Sequence, residues 1–245
     1  GWHRAGKVYS KFPAKLIHSN KDRSLEVVDV KLAGPRVVRI VNCHWWPNNY
    51  GPFLAQEKLR ADPQVDLNIL AEIVEEKGAR RGGTRGYKAT IEPLEEAIEE
   101  KKAIFLVGDF NEPSHLDWTE HYARNGSDRW VNNPTGTPLR FPVRWPGSVL
   151  LENIGMVDSF RQFHTDEVKK PGITWTPPYP ERTPGRRPYG DQVLDRIDRV
   201  YHHGKNVKVV SAQMVGEKGD TSDIEIKGRW PSDHRAVVIE YKWKN

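Results

Sequence analysis

The sequence predicts a layered α/β domain, and three observations predict it. Residues 103–111, Ala-Ile-Phe-Leu-Val-Gly-Asp-Phe-Asn, open with an unbroken apolar run, the pattern of a short strand covered on both faces. Two helical patterns separate that run from an earlier β-branched run at residues 36–43, giving the order β, α, α, β expected of a sheet with helices packed on it. Polar residues stand where the apolar runs stop, and in layered α/β architectures strand ends open into crevices that loops can line.

Composition bounds the possibilities before any motif is considered. A chain of 245 residues is long enough to bury a sizeable core as one domain, and 37% hydrophobic with 29% charged residues suits a globular protein. No run of eighteen apolar residues appears, so no membrane span is encoded in this stretch. The single Cys43 excludes an internal disulfide framework and leaves the compartment undecided. A net charge of +5 favours anionic partners.

Taken in order, residues 8–10 with Phe12-Pro13 predict a strand end and turn, and residues 25–30 alternate as a strand. Residues 36–43 form the β-branched strand that ends at Asn42-Cys43-His44, and residues 45–51 read as a Pro/Asn/Gly loop. Asp62-Pro63 then predicts a helix start, with Val65, Ile69, Leu70, Ile73 and Val74 at helical spacing before Gly78. Residues 79–88 carry four cations and three glycines. They read either as a phosphate-contacting loop, through Arg80, Arg81 and Arg85, or as a solvated one. A helix from Thr90 to about Glu100, with Leu94, Ala97 and Ile98 on one face, leads into the central strand.

Beyond that strand, Ser114-His115-Leu116-Asp117 predicts a capping box opening a helix that runs to about Arg124, with Gly126 as its stop. Residues 127–147 lack periodicity and read as a long loop, its Trp130 and Trp145 serving as anchors or as binding surfaces. Short strands are expected at 156–161 and from Gly172. A basic proline-rich loop with Arg182, Arg186 and Arg187 follows at 177–191, then strands at 193–202, 207–210 and 236–241.

The chemistry concentrates at the strand ends. Asp109 and Asn111 lie two apart, so extended geometry would send both side chains from one face. There they could hold a hydrated divalent cation and orient a water, or simply close the strand with an Asx turn. Asn42 with His44, Asp198, and Asp233 with His234 likewise adjoin predicted strands. Acids and amides are hard oxygen ligands suited to Mg²⁺ or Mn²⁺, and histidines add proton transfer near neutral pH. The set suits metal-assisted hydrolysis, whereas a lone Cys43 cannot build a thiolate zinc site, and neither Gly-x-Ser-x-Gly nor a Walker loop is present.

The four motifs Asn-Cys-His, Gly-Asp-Phe-Asn, Arg-Ile-Asp and Ser-Asp-His, in that order, resemble the endonuclease/exonuclease/phosphatase superfamily. That group includes pancreatic-type deoxyribonucleases, apurinic endonucleases, sphingomyelinases and inositol-polyphosphate phosphatases. The likeness runs from about Val8 to Tyr241 and makes residues 1–245 a single domain. It implies a four-layer α/β/β/α sandwich of two stacked mixed sheets flanked by helices, with a Mg²⁺ or Mn²⁺ site at one sheet edge. It further implies that Asp109 and Asn111 position the attacking water and a phosphate or metal, that Asp233 ligates the metal, and that His234 contacts the scissile phosphate. Asp198 would hold His234 in its working tautomer, and His44 would stabilise the transition state. Apart from the resemblance, Asn42 of the strand-end cluster and Arg182 of the basic loop are expected to contact substrate. The implied activity is phosphodiester hydrolysis, with phosphomonoester hydrolysis or non-catalytic phosphate-ester binding as alternatives, and the implied partner is an anionic phosphate ester or nucleic acid.

One departure bears on the N-terminal side. The family pattern begins with strands carrying an Asn and a metal-binding Glu ahead of the segment matching Val8-Tyr9-Ser10-Lys11-Phe12-Pro13, whereas this chain starts almost at that segment; Gln56-Glu57 falls too late to replace the Glu. The likeness therefore implies that the native polypeptide begins before Gly1, or that a separate N-terminal segment supplies those strands. The alternative is a naturally shortened member whose strands at 25–30 and 36–41 have taken over the sheet interior.

Overall fold

The computed structural model describes residues 1–20, 24–71, 87–219 and 221–244. Its main sheet is mixed and six-stranded, in the order β3-β4-β5-β6-β8-β7, formed by β3 (Ala14–Asn20), β4 (Leu25–Lys31), β5 (Val37–His44), β6 (Ala103–Asp109), β7 (Val157–Asp158) and β8 (Asp198–His203). Within this sheet, among the described residues, only the β5/β6 pair is parallel. A second mixed sheet has the order β10-β9-β11, from β9 (Val207–Gly216), β10 (Ile224–Glu225) and β11 (Ala236–Trp243), and β1 (His3–Ala5) with β2 (Val8–Ser10) makes a hairpin. The helices are α1 (Gly51–Ala61), α2 (Tyr87–Glu99), α3 (Glu120–Asn125), α4 (Pro146–Asn153) and α5 (Ser159–Phe163).

The expected α/β sandwich of two stacked mixed sheets with helices is formed, and β6 shows why its run does not alternate. Ile104 and Leu106 face α2, where Leu94 and Ala97 pack with Val41, and all are buried. Phe105 faces the second sheet, its ring 4.7 Å from that of Tyr241, with Trp243 joining Val28, Val30 and Val38 below. Apolar cover on both faces removes the period of two. Trp130 and Trp145 are both buried, in a cluster with Trp118, Leu139 and the α1 residues Ala55 and Leu59, so they anchor the long loop. No helix among the described residues is long and apolar enough to cross a membrane.

Two helices differ from the sequence expectation for non-local reasons. Asp62 does not open a helix; it ends α1, its N–H bonding the Lys58 carbonyl at 2.8 Å. Val65 is non-helical, helical backbone begins at Leu70, and the rest of the expected helix from residue 72 lies outside the described residues. The capping box at Ser114 is likewise absent. Ser114 makes a turn instead, and Thr119 caps α3, its hydroxyl accepting the Tyr122 N–H at 3.0 Å. Asp117 is drawn away into an ionic network, receiving Arg161 Nε at 2.5 Å and Arg196 Nε at 3.0 Å. The other fork of Arg196 reaches Asp158 at 2.7 and 3.1 Å, and its side chain is 1% exposed.

This network carries the loop between β6 and α3 onto β8, and its charge is paired throughout. Burial pushes the Asp117 carboxyl up, but Arg196 and Arg161 overcome that and hold it down to about 2. Removing one partner from such a set strands buried charge, so Asp117→Ala should lower the unfolding free energy in urea by about 3–5 kcal/mol. Because the folded pKa is depressed, the stability Asp117 contributes is complete above its ordinary value of 3.8 and is lost as pH falls toward about 2. Urea titrations at successive acid pH values should show wild-type stability falling in that window and the variant's falling less.

Candidate active site

Three neighbouring strands end side by side. Asp109 closes β6 and stands in register with His44 of β5 on one side and Asp198 of β8 on the other. His44 Nε2 lies 3.5 Å from Asp109 Oδ2. The preceding Gly108 makes this approach possible: its φ is +154°, and a Cβ there would sit 1.9 Å from the Cys43 carbonyl oxygen. Burial, then the neighbouring Asp198 charge, pushes the Asp109 carboxyl up to about 6, against the pull of His234, the Asn111 N–H and Arg199.

Asn111 joins Asp109 by a different route from the extended geometry read in the sequence. Its φ of +44° turns the chain left-handed, a conformation asparagine tolerates. Its N–H donates to Asp109 Oδ1 at 2.8 Å, and its Nδ2 donates to Asp109 Oδ2 at 3.2 Å and to the Trp45 carbonyl at 3.1 Å. The Asx turn closes the strand and at the same time holds the two side chains together.

From the far side of the chain, His234 places Nδ1 2.8 Å from Asp198 Oδ2. The Thr174 hydroxyl accepts the Ile197 and Asp198 N–H groups at 2.9 and 3.0 Å, which sets the β8 end, and Trp230 Nε1 donates to the His234 carbonyl at 2.8 Å. Burial lowers the His234 pKa, but the Asp198 hydrogen bond and charge outweigh it and the value is raised. Asp233 Oδ2 lies 3.7 Å from His234 Nε2 and is ion-paired with Arg186.

Ligand atoms of Asp109, Asp198 and His234 lie within 4.8 Å of one another. They line a pocket of about 460 Å³ together with Arg199, Trp230 and Ser232. The donors are carboxylate oxygens with an imidazole and a nearby amide, which fits a hard divalent cation. Cys43 offers no alternative chemistry, being buried with its thiol pushed far up by desolvation.

The model of the endonuclease/exonuclease/phosphatase family matches residues 5–234, a span that contains this whole constellation. The chain belongs to that family. An uncharacterized protein of Caenorhabditis elegans is 31% identical over 213 residues, covering 81% of this chain and 59% of that protein, so the chain spans less than two thirds of its relative's length. Among solved structures, a truncated Caenorhabditis elegans TDP2 is 18% identical over 97% of this chain and 72% of that one, with a TM-score of 0.44. An endonuclease/exonuclease/phosphatase from Beutenbergia cavernae is 16% identical over 96% of this chain and 47% of that one, with a TM-score of 0.46. Members of the family are typically hydrolases acting on phosphoester bonds, and divalent metals are common among them.

Of the residues singled out in the sequence, Asp109, Asp198 and His234 line that pocket, His44 and Asn111 stand beside Asp109, and Asp233 stands beside His234. Asn42 stands apart, further down β5, where its Nδ2 lies 3.5 Å from Glu26 Oε2. Arg182 is exposed in its loop with a φ of +61°, and Arg186 of the same loop is the one that reaches Asp233. Arg80, Arg81 and Arg85 lie outside the described residues. Trp175 went unnoticed in the sequence because Thr-Trp-Thr-Pro-Pro reads as a strand start; its ring centroid is 6.2 Å from that of His234, with Tyr50 and Phe53 both at 5.7 Å beyond. Gly108→Ala should cost at least about 1–3 kcal/mol in urea unfolding, since either β5 or β6 must move to admit the methyl group. An unchanged midpoint would show that the two strand ends are free to separate.

Proposed function

We propose that this chain is a divalent-metal-dependent phosphoesterase that hydrolyses a phosphodiester by attack of water, with residues 1–245 acting as a single domain. The observation that carries the reading is the Asp198–His234 pair, 2.8 Å apart, facing Asp109 across two paired strand ends. A carboxylate behind an imidazole fixes the tautomer and stabilises the cation, so His234 presents Nε2 as a proton-bearing donor to a phosphate oxygen. Asp109 and Asn111 hold the attacking water, Asp109 accepting its hydrogen while Asn111 sets the carboxylate's orientation. His44, beside Asp109, adds a donor where charge grows on the phosphoryl oxygens. Asp109, Asn111 and Asp233 would hold a Mg²⁺ or Mn²⁺, whose chemistry when bound is to acidify water and offset phosphoryl charge.

Two results test this. With Mg²⁺ or Mn²⁺ supplied, Asp109→Ala and His234→Ala should each lower turnover of bis(p-nitrophenyl) phosphate by about 10²-fold or more, and a chelator should abolish it. Turnover that survives both substitutions, or ignores the chelator, overturns the assignment.

The rim supports a substrate that pairs phosphate with planar groups, as a single nucleic-acid strand does. Trp175 lies beside His234 with Phe53 behind it, the Arg187 guanidinium sits 4.0 Å over the Phe53 ring, and Arg186 stands at Asp233. Stacking and phosphate pairing act together in such grooves. Cleavage of a single-stranded oligonucleotide should therefore outpace that of a small diester and fall steeply between about 50 and about 200 mM salt. Efficient turnover of the small diester with no binding of DNA or RNA at low salt would exclude nucleic acid.

A further inference from the structure

A second pocket, of about 290 Å³, opens at the opposite pole of the sandwich, where β6 and β9 begin and β11 ends. It is lined by Arg36, Lys101, Lys102, Lys205 and Lys244, with Trp243 as a wall and no acidic residue. Asp109 stands at the other end of β6, roughly 20 Å away at the rise of a strand.

The cations converge from four separate segments, so they do not form a run along one solvated element. Lys102 is committed to Asp29 at 3.0 Å and Glu100 at 2.7 Å. Arg36, Lys101, Lys205 and Lys244 have no carboxylate partner among the described residues; the Arg36 guanidinium instead lies 4.9 Å over the Trp243 ring. Just outside, Lys208 and Lys242 stand directly opposite each other in the β9/β11 register, a like-charge pairing that disfavours the sheet. The frame is fixed: Lys244 N–H bonds the Asn206 carbonyl at 2.8 Å, and the left-handed backbone of Lys101 closes the end of α2. Four cations without a carboxylate partner among the described residues thus gather in one concavity of a chain whose formal charge is +5 overall.

We propose that this pocket binds a compact polyphosphate, two or more phosphates on one small molecule or headgroup. Multiple ammonium groups and an arginine fork answer clustered phosphoryl oxygens. A pit favours a compact anion, whereas a nucleic-acid backbone would need an extended stripe. The inference stands independently of the reaction assigned to Asp109 and His234.

Calorimetry with sodium tripolyphosphate, in the absence of divalent metal, tests it on the whole chain. One-to-one saturable binding is expected, weakened at least about tenfold in the double variant Lys101→Gln/Lys205→Gln and unchanged in His234→Ala. The double variant should keep the wild-type melting temperature and phosphodiester turnover, because both lysines are exposed and remote from Asp109. A parallel arm uses phosphatidylcholine vesicles with about 5% of a bisphosphorylated phosphoinositide. Binding to both probes identifies a headgroup as one source, and tripolyphosphate alone a soluble ligand; either supports the site. No saturable tripolyphosphate binding, binding indifferent to the lysines, or binding lost in His234→Ala overturns it. So does displacement of tripolyphosphate by oligonucleotides with affinity that grows with their length.

Discussion

The position of the candidate catalytic groups depends on a buried set of charges that takes no part in the chemistry. Arg196 bridges Asp117 and Asp158, while the adjacent Asp195 receives Arg129 Nη1 at 2.9 Å, Trp118 Nε1 at 2.8 Å and Tyr50 Oη at 2.9 Å. Both residues lie immediately ahead of Asp198, so the β8 end is clamped from two sides before it meets Asp109. An arginine fork can satisfy two carboxylates at defined angles, which apolar packing at the same place would not do. The cost of burying these ions is offset only when every partner is present, and that makes the arrangement all-or-none.

Local signals explain which parts of the fold were legible in the sequence. β4, β5, β6 and β11 are β-branched or apolar runs with polar stops, and α2 has its own apolar face, so each could be read in isolation. α4 could not. Its first turn is capped by the Glu112 carboxylate, which accepts the Ser148 N–H at 3.1 Å from the other side of the loop, and Pro-Gly-Ser gives no helical signal by itself. α1 was hidden for a related reason: its buried Gln56 donates Nε2 to the distant Asp191 carbonyl at 2.7 Å, so its polar residues do not mark a solvent face. At the site, the motif residues were legible because each lies at or beside a strand end. Trp175 was not, and the ion pair of Arg186 with Asp233 was not, because long loops with no periodicity of their own deliver them.

The site also carries unfavourable electrostatics. Burial pushes Asp109 up to about 6, Asp195 to about 6 and Glu112 to about 7, the last two against the pull of Arg129 and Arg199 respectively. Arg199 is 1% exposed and its guanidinium makes no hydrogen bond among the described residues, lying 4.4 Å over the Phe110 ring. A cation so placed works through its field: it holds Glu112 and Asp109 nearer their ionised forms than burial alone would allow. Stability is spent there on a carboxylate cluster that apolar residues could have replaced.

His44 and His234 enter the site from opposite ends of the sequence, and Asp198 meets His234 only once the segment beyond β9 has docked. A nascent chain emerging from the ribosome can therefore form β4, β5 and β6, complete with Asp109 and Asn111, long before it owns an imidazole oriented by Asp198. Partly synthesised molecules hold Asp109, Asn111 and His44 without the Asp198–His234 pair. Assembly of the whole constellation is in this way conditional on the completed topology, a consequence of strand order alone.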